Sequence, residues 1–269
     1  MLKIPRIRAF LFHLAISLII FLIPLYLIVF QWYPLPFFYT DGGWNGIRII
    51  AGVHLIIGPL LTLIVFKPGK PGLKFDLIVI GLVQAAALSW GIWVTYTERP
   101  VAMVYTLKYF TPVSEKLLRT MEFPLENLDM YGDKTPVAIY ADLPQDPEQH
   151  QKYLAQALSS RTPLYLFTEL YTTFNTESLQ ILKQQSDRLY THLESDEKGK
   201  QLLNTFFQIH PELYNRYLFI PLHSRYKRLV IVLDVTNLSY KGSLNINVTD
   251  FLLGRTKKKK PESPGAQNN

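Results

Sequence analysis

Residues 9–30 read AFLFHLAISLIIFLIPLYLIVF, and two further stretches of the same character follow: 47–66, IRIIAGVHLIIGPLLTLIVF, and 75–96, FDLIVIGLVQAAALSWGIWVTY. At about 1.5 Å of rise per residue, a helix of roughly 20 residues spans the hydrocarbon core of a bilayer. These stretches predict an α-helical membrane domain of three transmembrane helices over residues 1–97. The rest of the chain carries charge at ordinary globular density, so the mean hydropathy of +0.09 averages two unlike parts. Residues 98–252 are numerous enough to bury a core of their own and read as an extracytoplasmic α+β domain. The run Lys257 to Lys260 precedes Pro261 and a polar end, so residues 253–269 read as a basic disordered tail. That run also supplies part of the net charge of +7, and no nucleic-acid partner is inferred from it.

Lys3, Arg6 and Arg8 precede the first stretch, as they would in a signal peptide. A signal peptide has a shorter apolar region, about 7–15 residues, ending at a small-residue cleavage site. Here the run passes into Gln31-Trp32-Tyr33-Pro34 and reads as a retained anchor. Lys67, Lys70 and Lys74 lie between the second and third stretches, whereas Gln31 to Asn45 holds no Lys or Arg. Positive charge in short loops stays on the cytoplasmic side. The N-terminus is therefore expected inside and the C-terminal domain outside. Trp32, Tyr33, Phe37, Phe38, Tyr39 and Trp44 suit an aromatic belt at the outer face, with Trp90, Trp93 and Tyr96 at the same level.

Within the apolar stretches, Gly81, Ala85 and Ser89 recur every four residues, and Gly58 and Thr62 do likewise. Small residues so spaced let another helix approach closely, whether a neighbour in the same chain or a foreign helix. Pro24 and Pro59 are expected to bend or break their helices. His54 and Gln84 lie deep and at similar depth, which suggests a mutual hydrogen bond facing the bundle interior. A transport route needs more ionisable groups than these spans offer.

Beyond the third stretch, Val101 to Phe110 alternates as a strand does. Pro136 to Ala141 reads as a second strand, and Pro163 to Phe167 as a short third. Asp146 before Pro147 predicts a helix to Ser159, Asn175 one from Thr176 to His192, and Ser195 one to His210. Leu229 to Val235 and Ser243 to Val248 form a terminal hairpin. The chain has no Cys, which removes disulfides and thiolate chemistry. The common nucleotide, zinc-protease and hydrolase motifs are absent, and His150, His192, His210 and His223 lack a metal-ligand spacing. His223, Ser224 and Asp234 are the only triad that can be assembled, and nearness in sequence is not geometry. No catalytic residue, metal or cofactor is expected.

Four segments together resemble the type IV pilin accessory proteins, the TfpX/TfpZ group of fimbrial assembly proteins. They are Asp41-Gly42-Gly43-Trp44-Asn45-Gly46-Ile47-Arg48 with Gly58-Pro59-Leu60-Leu61-Thr62-Leu63; Phe66-Lys67-Pro68 and Lys70-Pro71 with Asp76-Leu77 and Gln84; Glu98-Arg99-Pro100-Val101 leading to Tyr109-Phe110; and Leu233-Asp234 with Gly242. The resemblance implies a non-enzymatic inner-membrane chaperone or assembly modulator whose partners are a cognate type IV pilin and the lipid bilayer. Without that link, the same topology fits a membrane-anchored envelope sensor or scaffold.

Overall fold

The computed structural model describes residues 3–254, so the basic run at 257–260 lies outside the described residues. Three helices are long and apolar enough to cross a membrane: α1 (Pro5–Trp32), α2 (Gly43–Val65) and α3 (Leu73–Thr97). Each starts earlier than hydropathy alone suggests. Gly42 and Gly72 adopt left-handed backbone, φ 113° and 81°, and turn the chain into α2 and α3. The first two helices are not regular throughout. Leu27–Trp32 and Gly52–Ile57 wind as π-helix, the second ending two residues before Pro59. Tyr33, Phe37 and Phe38 depart from the aromatic-belt reading. Tyr33 and Phe38 are buried with Phe21, Ile28, Ile47 and Ile50 in a core where the three helices meet, and Phe37 is buried as well, whereas Tyr39 and Trp44 are exposed.

The described chain divides into two compact units, one of residues 3–180 with 222–227 and one of 181–221 with 228–254. Compactness thus draws its line elsewhere than composition, which breaks between residues 97 and 98. In the first unit, β1 (Pro100–Thr106) and β2 (Tyr109–Ser114) follow α3. The single strand expected over 101–110 is instead a hairpin, in which Thr106 faces Tyr109 across Leu107, whose φ is +62°. Alternation could not show this, because β1 is buried on both faces. After α4 (Glu115–Thr120), β3 (Val137–Ala141) returns parallel to β1, and β4 (Tyr171–Thr172) pairs antiparallel with β3. The order is β4-β3-β1-β2.

On one face Ala102, Val104, Val113 and Ile139 pack against Leu118, Leu164 and Phe167. On the other, Tyr105, Phe110, Tyr140 and Phe174 form an aromatic group. α5 (Pro147–Ser160) is capped by Asp146, which accepts from Gln149 N at 2.9 Å. Pro163 to Phe167 is not a strand but a short 3₁₀ turn, Leu164–Leu166, buried without a ladder partner.

α6 (Thr176–Ser195) starts at Asn175, whose side chain accepts from Ser178 N at 2.8 Å. α7 (Glu197–Ile209) is capped by Asp196, one residue after the Ser195 expected from sequence; Ser195 still belongs to α6. The turn between them is tight. A Cβ on Gly199 would sit 2.4 Å from the Leu193 carbonyl oxygen, so no larger residue fits.

In the second unit β5 (Tyr217–His223, in its part up to Pro221), β6 (Arg228–Asp234) and β7 (Tyr240–Leu244) lie in that order. Their side chains Tyr217, Phe219, Val230, Val232 and Leu244 pack on Leu189, Leu193, Leu203 and Phe206. β5 is invisible to pattern reading because Pro221 interrupts an otherwise strand-like run. The architecture is thus three long apolar helices followed by a mixed helix-and-sheet region.

Candidate functional site

Pro59 shapes the interior of the helix bundle. In the π-helical turn Gly58 N bonds to Val53 O, and Pro59 has no N–H to offer. The His54 carbonyl is therefore left without a helical donor, and Gln84 of α3 supplies one, its Nε2 donating at 3.3 Å. The sequence placed His54 and Gln84 at one depth, and they do meet. The bond runs to the backbone carbonyl, however, and both His54 ring nitrogens are buried without a partner among the described residues. Gly58 makes the approach possible, since a Cβ there would lie 1.6 Å from Gln84 Nε2. Thr62 is likewise used inside the bundle, its hydroxyl 2.6 Å from His13 Nδ1 of α1. Gly81, Ala85 and Ser89 lie elsewhere: all three are exposed on α3. The two groups of small residues thus have different surroundings, one inside the bundle and one on its outside.

At the end of α3 the chain builds a polar clasp that sequence reasoning passed over. Glu98 receives Lys116 Nζ at 2.9 Å and the Arg225 guanidinium. Arg225 N donates to Asp41 Oδ1 at 3.3 Å, and Tyr226 N to Thr40 O at 3.0 Å. Thr40 Oγ1 donates to Asp41 Oδ2 at 2.6 Å. Segment 222–227 is thereby pinned to the loop between α1 and α2 and to the end of α3. Arg99 continues the group, with its guanidinium 3.6 Å from the Tyr96 ring centroid and paired with buried Glu115, which also binds Arg119 at 2.8 Å. Asp41 and Glu98 open two of the segments that carry the family resemblance and stand at the boundaries of apolar stretches, but nothing in the sequence ties them to each other or to Arg225.

Electrostatics separates the two carboxylates. Burial pushes the Asp41 carboxyl above its ordinary range, and the hydrogen bonds from Thr40 and Arg225 only partly oppose it. Burial also acts to raise Glu98, but the hydrogen bonds from Lys116 and Arg225 outweigh it and hold Glu98 below its usual value. Glu98 is the stable anion of the clasp and Asp41 the reluctant one.

Two cavities share Asp41, Glu98 and Arg225 as a common wall. One, about 250 Å³, is polar and lies between β2 and His223–Arg225, with Thr111, Ser114 and Tyr165 on its walls. The other, about 280 Å³, opens between α2 and α3 and is lined by Ile49, Ile50, Trp90 and Val94. The polar cavity also has His223 and Ser224 on its wall beside Asp41, whereas Asp234, the third member of the triad assembled from sequence, does not line it. His223 stacks on Tyr109 at 4.0 Å, while Asp234 is engaged in its own turn by Thr236 N at 2.9 Å. No cluster of three or more metal-ligating side chains occurs among the described residues.

Over 115 residues, 42% of this chain, the sequence is 33% identical to the fimbrial assembly protein of serogroup E1 of Dichelobacter nodosus. Over the same length it is 35% identical to the fimbrial assembly protein of serogroups C1 and C2 of that organism, and 35% identical to that of serogroup I. The matched stretch covers 87% of the C1 and C2 protein but only 44% of the E1 and I proteins, so the chain matches less than half the length of those two. No family model matches the chain, and no solved structure does.

Proposed function

This chain belongs to the fimbrial assembly protein family, and we propose that it is a non-enzymatic accessory protein of the TfpX/TfpZ type, acting as chaperone or assembly modulator for a cognate type IV pilin. The observation that carries this reading is the identity to fimbrial assembly proteins. The topology supports it. Three helices long and apolar enough to cross a membrane, with basic residues at the N-terminus and between α2 and α3, support a reading with the N-terminus in the cytoplasm and the residues after α3 in the periplasm. A pilin awaiting assembly is an apolar helix in that membrane with a globular part outside. The exposed stripe Gly81, Ala85 and Ser89 offers such a helix a smooth surface. In the second unit β7, at the end of its strand order, offers an edge for strand pairing.

The test is photo-crosslinking from position 85 of α3 and position 243 of β7, in cells making the neighbouring pilin. A pilin adduct from either position is expected. With the protein expressed and inserted, no adduct from either one overturns pilin contact and leaves the envelope sensor or scaffold. Normal surface piliation in a clean deletion strain refutes the role itself. Alanine at Ser224, His223 and Asp234 is expected to leave function intact; loss at all three would indicate chemistry.

A further inference from the structure

The cavity between α2 and α3 is amphipathic along its length. Its lower wall is Ile49, Ile50, Trp90 and Val94, and its upper rim Asn45, Asp41, Glu98 and Arg225. Its apolar side is open rather than sealed, because Trp90 is 67% and Ile49 66% exposed. The charges on the rim are mixed. Glu98 is held as an anion, and Asp41 is a second carboxyl, 6% exposed. Arg225 gives Nη2 to Glu98 and a further N–H to the Tyr226 side chain. A guanidinium carries five N–H donors in a fixed fork, so these two partners do not exhaust it.

We propose that this cleft holds a zwitterionic aminophospholipid, with its phosphate on Arg225, its ammonium toward Asp41 and Glu98, and the first part of an acyl chain along Trp90, Ile49 and Val94. An anionic headgroup would set its added negative charge against two carboxyls. A wholly cationic ligand would meet Arg225. A phosphoethanolamine head satisfies both signs, and the apolar wall below it sits where the acyl chain must go. The volume, about 280 Å³, is near the lower end for small-molecule pockets and suits a headgroup with its first methylenes. Such a lipid would fill the opening beneath the clasp and join α2, α3 and segment 222–227 around one molecule. This inference is independent of the pilin reading.

The test is native mass spectrometry of the full chain, delipidated in detergent and titrated with dioleoyl phosphatidylethanolamine or dioleoyl phosphatidylglycerol. Phosphatidylethanolamine should be retained about tenfold more strongly, the scale of one charge-assisted hydrogen bond. Arg225→Ala should abolish that preference. Because Arg225 also holds the clasp, Val94→Trp provides the second arm: it fills the cleft from the apolar side and should remove the tightly held lipid while the clasp stands. Brominated phosphatidylethanolamine should quench fluorescence in the wild type and less in Trp90→Phe. Equal retention of the two lipids, or unchanged retention in Val94→Trp, overturns the site. Full competition by free phosphoethanolamine overturns the lipid as its occupant, and a pilin adduct from position 94 in place of lipid does so too.

Discussion

Replacing Gly58 with alanine puts a methyl group where the Gln84 amide now lies, 1.6 Å from Nε2 and 2.2 Å from Cδ. Gln84 is a flexible side chain and can swing aside, so the penalty is a lost bond rather than strain. Once it moves, the His54 carbonyl loses its donor, and Pro59 cannot replace it. Interhelical hydrogen bonds in membranes contribute about 0.6–2 kcal/mol. An unpaired buried polar group adds roughly 1–3 kcal/mol. Alanine returns up to about 1 kcal/mol of helix propensity over glycine. The net expectation is a loss of about 1–4 kcal/mol by these terms.

Gln84→Ala removes the same bond without a clash and should cost a similar amount. The double variant should cost clearly less than the sum, because the methyl at position 58 then occupies space the amide has vacated. That coupling, expected at roughly 1 kcal/mol, is the diagnostic quantity. The assay is equilibrium unfolding of the full chain in mixed micelles, comparing wild type, both single variants and the double. Strict additivity, or a Gly58→Ala protein as stable as wild type, refutes the contact.

The clasp should respond to pH with opposing signs. Glu98 titrates below its unfolded value, so its contribution is present above about pH 4.5 and lost as pH falls through its folded value; in Glu98→Gln that acid-side loss of thermal stability should be reduced. Asp41 titrates above its unfolded value, so its ionised form weakens the fold at neutral pH. Asp41→Asn should therefore melt higher than wild type at pH 7, with the advantage vanishing toward about pH 4. Ala85→Leu, on an exposed position of α3, should leave unfolding within about 0.5 kcal/mol of wild type while reducing pilin crosslinking; unchanged crosslinking removes the stripe from the docking surface. Ser186→Ala strips Phe219 N of its buried acceptor, now at 2.8 Å, and should cost about 1–3 kcal/mol, with faster hydrogen exchange at the Phe219 amide as the readout.

Length and hydropathy determined the three apolar helices, because a run of some 20 apolar residues has few alternative fates. The caps at Asp146 and Asn175 were legible because capping is a local bond between a side chain and the backbone three residues on. So was the meeting of His54 and Gln84, as a matter of depth along helices of known rise. Tertiary structure decided the rest. Whether a small residue faces a neighbour or the outside depends on how each helix is rotated. Gly58 and Gly81 look alike in sequence, yet one lies against Gln84 and the other has nothing within 4 Å of an added Cβ. The hairpin at Leu107 was hidden because a strand buried on both faces shows no alternation, and β5 because Pro221 interrupts it. The clasp joins Asp41, Glu98 and Arg225, the last two separated by 127 in sequence. No local pattern encodes a pairing at that separation: it exists only because folding brings two ends of apolar helices and a distant loop together, where bonds from Lys116 and Arg225 keep Glu98 charged and burial holds Asp41 back.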